Sequence, residues 1–465
     1  MSTVLLNRGW QHIRHEGRWI PTLSGVNRNV AGTIGTSLAV QGALVVSGVA
    51  AARMLGVLDR GHLAMFILLS SVLPVICSLG LPLALTYWIA RVPELAWALL
   101  IRVRSAFAVL VGVTLVANGV VLYLLFRHSP ANVQVSAAIS WISSPAVLVW
   151  IFGMAVLQGN QQFRALNISR VISPPITALL MASYLVVGAH SLVLATLTWT
   201  ALIWLTAVIT SIAVFRGLPD RTSQQHDDRL PSIRSLLDFS LKALLGSVTP
   251  LEGFQLDQAI VGIFLAQAAL GIYVVAVAFT NLPRFVAQAI GLVSYPHVAA
   301  AHKGHDTARL MMKFMVTTLV LCGATVAIIE VGLPFLVPAL FGSAFHAAIG
   351  VAQILLISAL LFALRRVLSE CARGAGRPGL GSLAEVISLV TLFPAVALLY
   401  HSGARGVAAA LVVAAFAGLA SMVVGLVSPS LRRRPTTVAI AAPGREALEA
   451  SGELQVEEAT EWTRQ

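Results

Sequence analysis

The sequence predicts an all-α, polytopic membrane protein of about twelve transmembrane helices, and three observations support this fold class. Of the 465 residues, 57% are hydrophobic and only 11% are charged, and the mean hydropathy is +0.86. A soluble domain needs far more charge to cover its surface, so the apolar excess must face lipid. Apolar stretches of about 20 residues, long enough to cross a bilayer, recur along the chain. Lysine and arginine concentrate between alternate stretches.

Twelve apolar stretches define the predicted membrane spans. They cover residues 31–53, 62–89, 105–126, 135–158, 171–188, 191–215, 236–265, 269–298, 309–336, 347–369, 379–400 and 405–428. The seventh is the least regular, because Gly246, Pro250 and Gly253 interrupt it, and we expect a kink or local unwinding there. The first span follows a basic segment, residues 1–29, without a signal-peptide cleavage site, so we expect it to be retained.

The distribution of basic residues predicts that both termini lie in the cytoplasm. With that orientation, 25 of the 31 Lys and Arg residues fall in cytoplasmic segments. The outer loops hold only Arg53, Arg60, Arg127 and Arg405, while Lys242 and Arg284 lie at membrane depth. We therefore expect a multi-pass protein of the cell inner (plasma) membrane.

A long polar segment, residues 216–234, divides the spans into two halves of six, residues 30–215 and 235–428. The charged tail, residues 429–465, is predicted to be a disordered cytosolic segment. Short motifs repeat between the halves: Leu55-x5-Gly61 recurs as Leu265-x5-Gly271, and Gly159-x11-Val171-Ile172-Ser173 recurs as Gly374-x11-Val386-Ile387-Ser388. The repeats indicate an internal duplication, which is common in transporters whose substrate binds between the halves.

Several function classes are disfavoured by the same sequence. The net charge of +12 is dispersed at helix ends and forms no basic patch interleaved with aromatic residues, so we expect no nucleic-acid partner. The three cysteines lack paired spacing, the His12/His15 and His302/His305 pairs lack a third ligand, and residues 374–382 lack the lysine of a phosphate-binding loop. We therefore predict no metal, no cofactor and no enzymatic activity.

Ionisable side chains at membrane depth are the candidate functional residues, because they are costly to place in lipid. Arg284 shares one face of the eighth span with Asn281 and Gln288, three residues before and four after it. Together with Lys242 and Arg53, these side chains suit a pyrophosphate head group, since charge-assisted hydrogen bonds to phosphate are strong in a site of low dielectric. Arg53 also lies near Asp59 and Arg60, with which it could form a loop clamp instead.

Two carboxylates of the seventh span, Glu252 and Asp257, have two possible roles. They could pair with Arg284 or Lys242 and hold helices together. They could also exchange a proton or bind sodium, which would couple transport to an ion gradient.

Four segments resemble the oligosaccharide flippases of polysaccharide biosynthesis, a family in the superfamily of multidrug/oligosaccharidyl-lipid/polysaccharide exporters. They are "AARMLGVLDRGHLAMFILLSSVLPVICSLGLPLALTYWIAR" (51–91), "LQGNQQFRALNISRVISPP" (157–175), "LDQAIVGIFLAQAALGIYVVAVAFTNLPRFVAQAIGLVSYPHVAA" (256–300) and "RVLSECARGAGRPGLGSLAEV" (366–386). The resemblance extends over about residues 30–428, in order and in both halves.

The resemblance implies two six-helix bundles that form a V around a central cavity. It also implies an undecaprenyl-pyrophosphate-linked oligosaccharide repeat unit as cargo, for O-antigen, capsule or exopolysaccharide, with membrane lipids, a polysaccharide polymerase and export machinery as partners. In the lipid II flippases a cavity arginine lies in an Ala-Arg-x-x-Gly segment, which corresponds here to Ala52-Arg53-x-x-Gly56.

Three alternatives to that cargo remain. A cation-coupled drug exporter of the same superfamily would need carboxylates to dominate the cavity. A lipid II flippase would carry two further C-terminal helices. A membrane glycosyltransferase or polymer ligase would need a large outer loop with carboxylates or histidines.

Overall fold

The computed structural model describes residues 23–218, 231–247, 255–301, 305–377 and 379–427. Over these ranges the chain forms helices joined by short turns, and no strand occurs among them. The predicted all-α class is confirmed. The predicted basic segment and charged tail lie almost entirely outside the described residues.

Sixteen α-helices follow one another in these ranges. They are α1 (Leu23–Cys77), α2 (Leu81–Arg91), α3 (Ala96–Phe126), α4 (Ala131–Trp141), α5 (Ser143–Gly159), α6 (Phe163–Val171), α7 (Ser173–Val187), α8 (Leu192–Gly217), α9 (Ile233–Ser247), α10 (Leu256–Phe264), α11 (Gln267–Ala278), α12 (Asn281–Ala300), α13 (His305–Phe341), α14 (Ala348–Gly374), α15 (Gly379–Leu399) and α16 (Gly403–Val427).

The helices follow the twelve predicted spans in order. By length and composition, eight helical segments of the described chain could cross a membrane, or nine if the bent pair α11–α12 is counted as one span. Two of the eight, Gly35–Cys77 and Gly379–Val427, are 43 and 49 residues long. Each is about twice the length of one crossing and overlaps two predicted spans.

Two breaks in the helices match particular sequence features. Gly56 (φ 70°, ψ −174°) ends the first part of α1 in a conformation that glycine adopts readily, so the first two spans meet there. In the seventh span, α9 ends at Ser247 and α10 begins at Leu256, after Gln255 in the left-handed region (φ 48°). The interruption predicted at Gly246, Pro250 and Gly253 falls largely on residues 248–254, which lie outside the described ranges, and it stays a prediction.

The buried cores show how the two halves are joined. The largest core cluster contains residues of both halves, most of them in the half of each helix that the predicted topology places outside; Met54, Phe66, Leu270 and Phe345 are examples. At the opposite end of the helices the halves have separate cores, one around Leu85 and others in the C-terminal half. The halves therefore converge at the predicted outer end and diverge towards the inner end, which confirms the V-shaped arrangement.

A reciprocal glycine contact lies at the point of convergence. A Cβ on Gly61 would lie 1.8 Å from the carbonyl oxygen of Gln267, and a Cβ on Gly271 would lie 2.0 Å from that of Val57. Each added Cβ would also lie 3.1 Å from the backbone nitrogen of the opposite glycine. Small residues let helix backbones approach this closely. The contact pairs equivalent positions of the two predicted repeats, which supports the internal duplication.

The second repeated motif also packs equivalently in both halves. A Cβ on Gly159 would meet Ile89 and the carbonyl oxygen of Thr86, and a Cβ on Gly374 would meet Val298 and the carbonyl oxygen of Tyr295. In each half, the glycine ends one helix against the inner end of the span that carries Gly61 or Gly271.

Helix α9 packs on the N-terminal half, although it belongs to the seventh span. Leu236 is fully buried in the core that contains Leu85, and the Phe239 ring stacks on Tyr87 with 4.6 Å between ring centroids. The seventh span therefore bridges the two halves at the predicted inner end.

Candidate functional site

Helices α10, α11 and α12 bring three polar side chains together in the C-terminal half. Asp257, in the first turn of α10, is 7% exposed and accepts a hydrogen bond from the hydroxyl of Tyr273 (3.0 Å). Tyr273 lies on α11 and is fully buried. Arg284, near the start of α12, interacts electrostatically with both side chains. The chain turns between α10 and α11 and bends by 43° between α11 and α12, so residues 27 positions apart in sequence form one polar cluster.

Arg284 is half-buried, and its Nε atom has no hydrogen-bond partner among the described residues. None of its nitrogens lies within salt-bridge distance of Asp257 or of any other described carboxylate. A buried guanidinium nitrogen without a partner is costly, because it loses hydration without gaining a hydrogen bond. The geometry therefore leaves Arg284 able to donate to an acceptor outside this part of the chain.

The two amides predicted to share the face of Arg284 lie on the same helix. Asn281 is the first residue of α12 and is half-buried, whereas Gln288 is exposed. Both can donate and accept hydrogen bonds. The bend of 43° between α11 and α12 comes immediately before Asn281. Asn281, Arg284 and Gln288 therefore all lie on the part of the eighth span that comes after the bend.

The other two predicted residues of the seventh span cannot be placed in this cluster. The backbone of Lys242 belongs to α9, but its side chain lies outside the described structure, as does the whole of Glu252. Their roles in cargo binding and ion coupling stay predictions.

The predicted cluster of Arg53, Asp59 and Arg60 separates into three different environments. Arg53 donates from Nε to the carbonyl oxygen of Leu340 (2.6 Å) and from Nη2 to that of Ala339. Asp59 contacts the ring of His62 at 3.2 Å. Arg60 lines a cavity in the N-terminal half. Arg53 therefore forms a bond across the two halves in this arrangement, and a cargo contact for it stays a prediction.

A buried ion pair of the C-terminal half was not expected from the sequence. Arg365 of α14 pairs with Glu385 of α15, and the two residues are 6% and 7% exposed. The guanidinium also lies over the ring of Phe362, 5.0 Å from its centroid. Arg365, which the charge count places in an inner loop, is in fact a core residue. The available signal was Glu385, the single acidic residue of the eleventh predicted span.

A second buried polar group lies in the N-terminal half. Asn118 is fully buried and donates to the hydroxyls of Ser144 and, at 3.4 Å, of Ser70. Ser70 in turn donates to the carbonyl oxygen of Ser140 (3.0 Å). These bonds tie three spans of the half together, as interhelical hydrogen bonds do in membranes.

Metal-binding and phosphate-loop geometries are lacking in the described residues. No group of three His, Cys, Asp or Glu side chains among them could hold a metal ion. The glycine-rich stretch that begins at Gly374 forms the turn between α14 and α15, with Gly376 at φ 78°.

Comparisons with known proteins agree with this architecture. A family described as "Polysaccharide biosynthesis protein" matches residues 50–350. No individual curated protein matches the chain significantly in sequence. Among solved structures, the lipid II flippase MurJ in an inward closed conformation superposes with a TM-score of 0.65 at 13% identity, covering 85% of this chain and 88% of MurJ.

Two MATE transporters have the same fold. An inward-facing MATE family transporter of the MOP superfamily superposes with a TM-score of 0.58 at 14% identity, covering 83% of this chain and 92% of its own. A MATE transporter of Vibrio cholerae gives a TM-score of 0.53 at 15% identity, with 87% and 97% covered. At these identities the similarity shows the fold alone. The match over residues 50–350, well over half of the sequence, shows that this multi-pass membrane protein belongs to the polysaccharide biosynthesis protein family.

Proposed function

We propose that this protein is a flippase that translocates an undecaprenyl-pyrophosphate-linked oligosaccharide repeat unit across the inner membrane for the synthesis of a surface polysaccharide. Its termini lie in the cytoplasm in this proposal, and it catalyses no covalent step. Its task is to lower the cost of moving a charged, hydrated head group through hydrocarbon.

The observation that carries this proposal is the environment of Arg284. Its Nε is buried without a partner in the described part of the chain, and its charge is opposed only at a distance by Asp257. An anionic head group would supply the missing acceptor, and a guanidinium can bind phosphate oxygens in a bidentate manner. Asn281, at the bend of the eighth span, is placed to bind a sugar hydroxyl or phosphate oxygen.

The arrangement of the halves supports a transport cycle around that site. The halves are joined by one shared core and by backbone contacts at the predicted outer end, and they separate towards the inner end. Such an arrangement opens to the cytoplasmic leaflet, where the cargo is made. Rocking of one half against the other would expose the site to the other side.

The test is a flipping assay in liposomes with a fluorescent isoprenoid-pyrophosphate oligosaccharide, whose outward exposure is measured by chemical quenching. We expect Arg284→Ala to abolish flipping while membrane abundance stays near wild type. Arg284→Lys should retain part of the flipping activity, because lysine keeps the positive charge but cannot form the bidentate hydrogen bonds of a guanidinium group. Arg127→Ala, which removes an exposed cation of a predicted outer loop, is the matched control. Full activity of Arg284→Ala would refute the role of Arg284, and its loss from the membrane would show a structural role.

Asp257 favours one alternative, a cation-coupled exporter of cationic drugs, because it is a buried carboxylate in a MATE-like fold. Efflux of a cationic dye from cells, measured with and without the protein, separates the two functions. Dye efflux without any flipping would favour the exporter.

We further propose that Asp257, with Glu252 nearby in sequence, couples transport to a proton or sodium gradient. Asp257→Asn and Glu252→Gln remove the exchangeable charge, whereas Tyr273→Phe keeps the carboxylate and removes only its hydrogen-bond donor. Coupling predicts that Asp257→Asn loses the gradient dependence of flipping and that Tyr273→Phe retains it. Equal gradient dependence in the wild type, Asp257→Asn and Glu252→Gln would disprove the coupling.

A further inference from the structure

Asp257 has enough hydrogen bonds of its own to stay apart from Arg284. Its carboxylate accepts a hydrogen bond from the Tyr273 hydroxyl at 3.0 Å and others from the backbone N–H groups of Asp257 and Gln258. It also lies in the first turn of α10, where the helix dipole favours a negative charge. Arg284 attracts this carboxylate electrostatically but lies beyond salt-bridge distance from it. Two opposite charges therefore lie near each other without forming an ion pair.

A bend in the eighth span separates the two charges. Tyr273 lies on α11, before the bend of 43°, and Arg284 lies on α12, after it. The hydroxyl of Thr280 bonds locally at the bend, to the carbonyl oxygen of Val277 at 2.8 Å. Pro283 has no N–H to donate to the carbonyl group four residues before it, so the helical hydrogen bonds are incomplete at the bend. The angle between α11 and α12 can therefore change without breaking a regular helix.

The helices on the two sides of the bend contact different halves of the protein. Helices α10 and α11 approach α1 of the N-terminal half closely, since a Cβ on Gly262 or Gly271 would lie 2.6 Å or 2.0 Å from an atom of α1. By contrast, α12 packs within the C-terminal half, where Ala287 belongs to a core shared with α13 and α14. When the halves separate at the predicted outer end, α10 and α11 lose their contacts with α1, whereas α12 keeps its own. Asp257 is then free to move relative to Arg284.

We propose that Asp257 competes with the anionic cargo for Arg284, and that Tyr273 is the positioning residue that keeps the carboxylate away while the outer end is closed. This inference rests on the cargo site proposed at Arg284. With the outer end closed, Asp257 is held by Tyr273 and by α10, so Arg284 is free to bind a phosphate group from the cytoplasmic side. When the outer end opens, Asp257 pairs with Arg284 and displaces the cargo. The affinity for cargo therefore differs between the two states, which gives transport its release step.

The affinity for a short cargo analogue tests the competition. The probe is farnesyl pyrophosphate, and its binding to the purified full-length protein is measured by isothermal titration calorimetry. We expect Asp257→Asn to raise the affinity by about tenfold, because the variant removes the competing charge and keeps an acceptor for the Tyr273 hydroxyl. Arg284→Ala should bind the probe at least about tenfold more weakly than the wild type, because it removes the charge-assisted hydrogen bonds.

A double-mutant cycle tests the role of Tyr273. Tyr273→Phe keeps every charge but removes the donor that holds Asp257, so we expect the affinity for the probe to fall by about three- to tenfold. In the Asp257→Asn background the same change should alter the affinity by less than about twofold, because Tyr273 acts only through the carboxylate. Tyr184→Phe is the matched control, since it removes a hydroxyl that lies 3.0 Å from that of Thr198 in the N-terminal half. It should leave the affinity unchanged.

The flipping assay gives a second readout, which separates binding from release. Cargo that is not displaced leaves slowly, so Asp257→Asn should lower both the KM and the flipping rate at saturating cargo, each by about three- to tenfold. A static negative charge beside the site would instead raise the affinity in Asp257→Asn and leave Tyr273→Phe like the wild type. That result would overturn the proposal, because Tyr273→Phe changes only the position of the carboxylate.

The Arg284→Ala variant separates a failure of this inference from a failure of the proposed function. If Arg284→Ala loses the probe while Asp257→Asn and Tyr273→Phe both bind it like the wild type, Arg284 is the cargo contact and only the competition is disproved. If Arg284→Ala binds the probe with unchanged affinity, the anion is held elsewhere, and the cargo site and the competition for it are both disproved.

Discussion

Replacing Gly61 with alanine tests whether the glycine contact holds the two halves together at the predicted outer end. The new Cβ would lie 1.8 Å from the carbonyl oxygen of Gln267, whereas ordinary contacts begin at 3.4 Å, so the helices must separate by about 1.6 Å. The obstacle is backbone, which cannot rotate away. Overpacking of this kind costs about 1–3 kcal/mol, which corresponds to about a 5- to 150-fold change in the ratio of closed to open molecules.

The assay is a distance measurement by pulsed electron paramagnetic resonance. Spin labels are attached to cysteines at Leu58 and Ser343, two exposed positions on opposite halves near the contact, in a protein whose three native cysteines are replaced. We expect Gly61→Ala to add a population with a longer distance. Gly271→Ala should do the same, because its Cβ would meet the carbonyl oxygen of Val57 at 2.0 Å.

Gly112→Ala is the matched control, since a Cβ there has no neighbour within 4 Å and alanine favours the helix. Normal membrane abundance and a single elution peak would show that each variant folds. If folded Gly61→Ala and Gly271→Ala gave the same distances as Gly112→Ala, the contact would not set the closed arrangement.

Two further predictions concern topology and the C-terminal core. Reporter fusions at residues 225 and 440 should be cytoplasmic and a fusion at 190 periplasmic, because basic residues favour the inner side, and any reversal would disprove the topology. Arg365→Ala should lower the free energy of unfolding by about 3–5 kcal/mol, because it leaves Glu385 buried and unpaired, and the double variant Arg365→Met, Glu385→Gln should recover most of it in the same denaturation assay. Equal losses in the single and double variants would contradict this explanation.

Hydropathy and basic-residue spacing were sufficient to predict the helices, because crossing a bilayer imposes a length and a polarity on each span. The break at Gly56 was not predicted, because a single glycine in an apolar stretch does not by itself show a positive φ. The repeat also had a readable signal, since Gly61 and Gly271 occupy equivalent positions. The spans and the repeated motifs are each defined by short stretches of sequence, which is why sequence alone could indicate them.

The partners of the polar residues could not be predicted in the same way. Lipid and protein interior are both apolar, so the hydrophobic pattern of a span does not show which face meets another helix. Arg53 and Leu340 are 287 positions apart, and the position of Tyr273 beside Asp257 depends on the turn between α10 and α11. Trp150 lies in the fourth predicted span, and nothing in its sequence neighbourhood predicts that it lines a cavity.

Arg53 has a contact that neither of its two predicted roles, a cargo contact or a clamp with Asp59 and Arg60, describes. Its guanidinium donates to the carbonyl oxygens of Ala339 and Leu340, which follow Pro338 near the end of α13. These bonds link the two halves, so they exist only while the predicted outer end is closed. A cargo phosphate could reach the same nitrogens only after they are released. The structure thus gives Arg53 a role in closing this end that precedes any role in binding cargo.

Arg53→Gln separates these roles, because two readouts respond differently. If Arg53 holds the predicted outer end closed, the variant should increase the long-distance population between labels at Leu58 and Ser343. The increase should reach at most about tenfold, because the variant loses two partly solvated charge-assisted hydrogen bonds. Affinity for an isoprenoid pyrophosphate, measured on the purified protein, should stay within about twofold of wild type. Arg53→Lys should behave like Arg53→Gln, since an ammonium group cannot donate the paired hydrogen bonds that a planar guanidinium gives to two successive carbonyl oxygens. A loss of affinity with unchanged distances would instead identify Arg53 as a cargo contact and would leave the glycine contact as the element that closes this end.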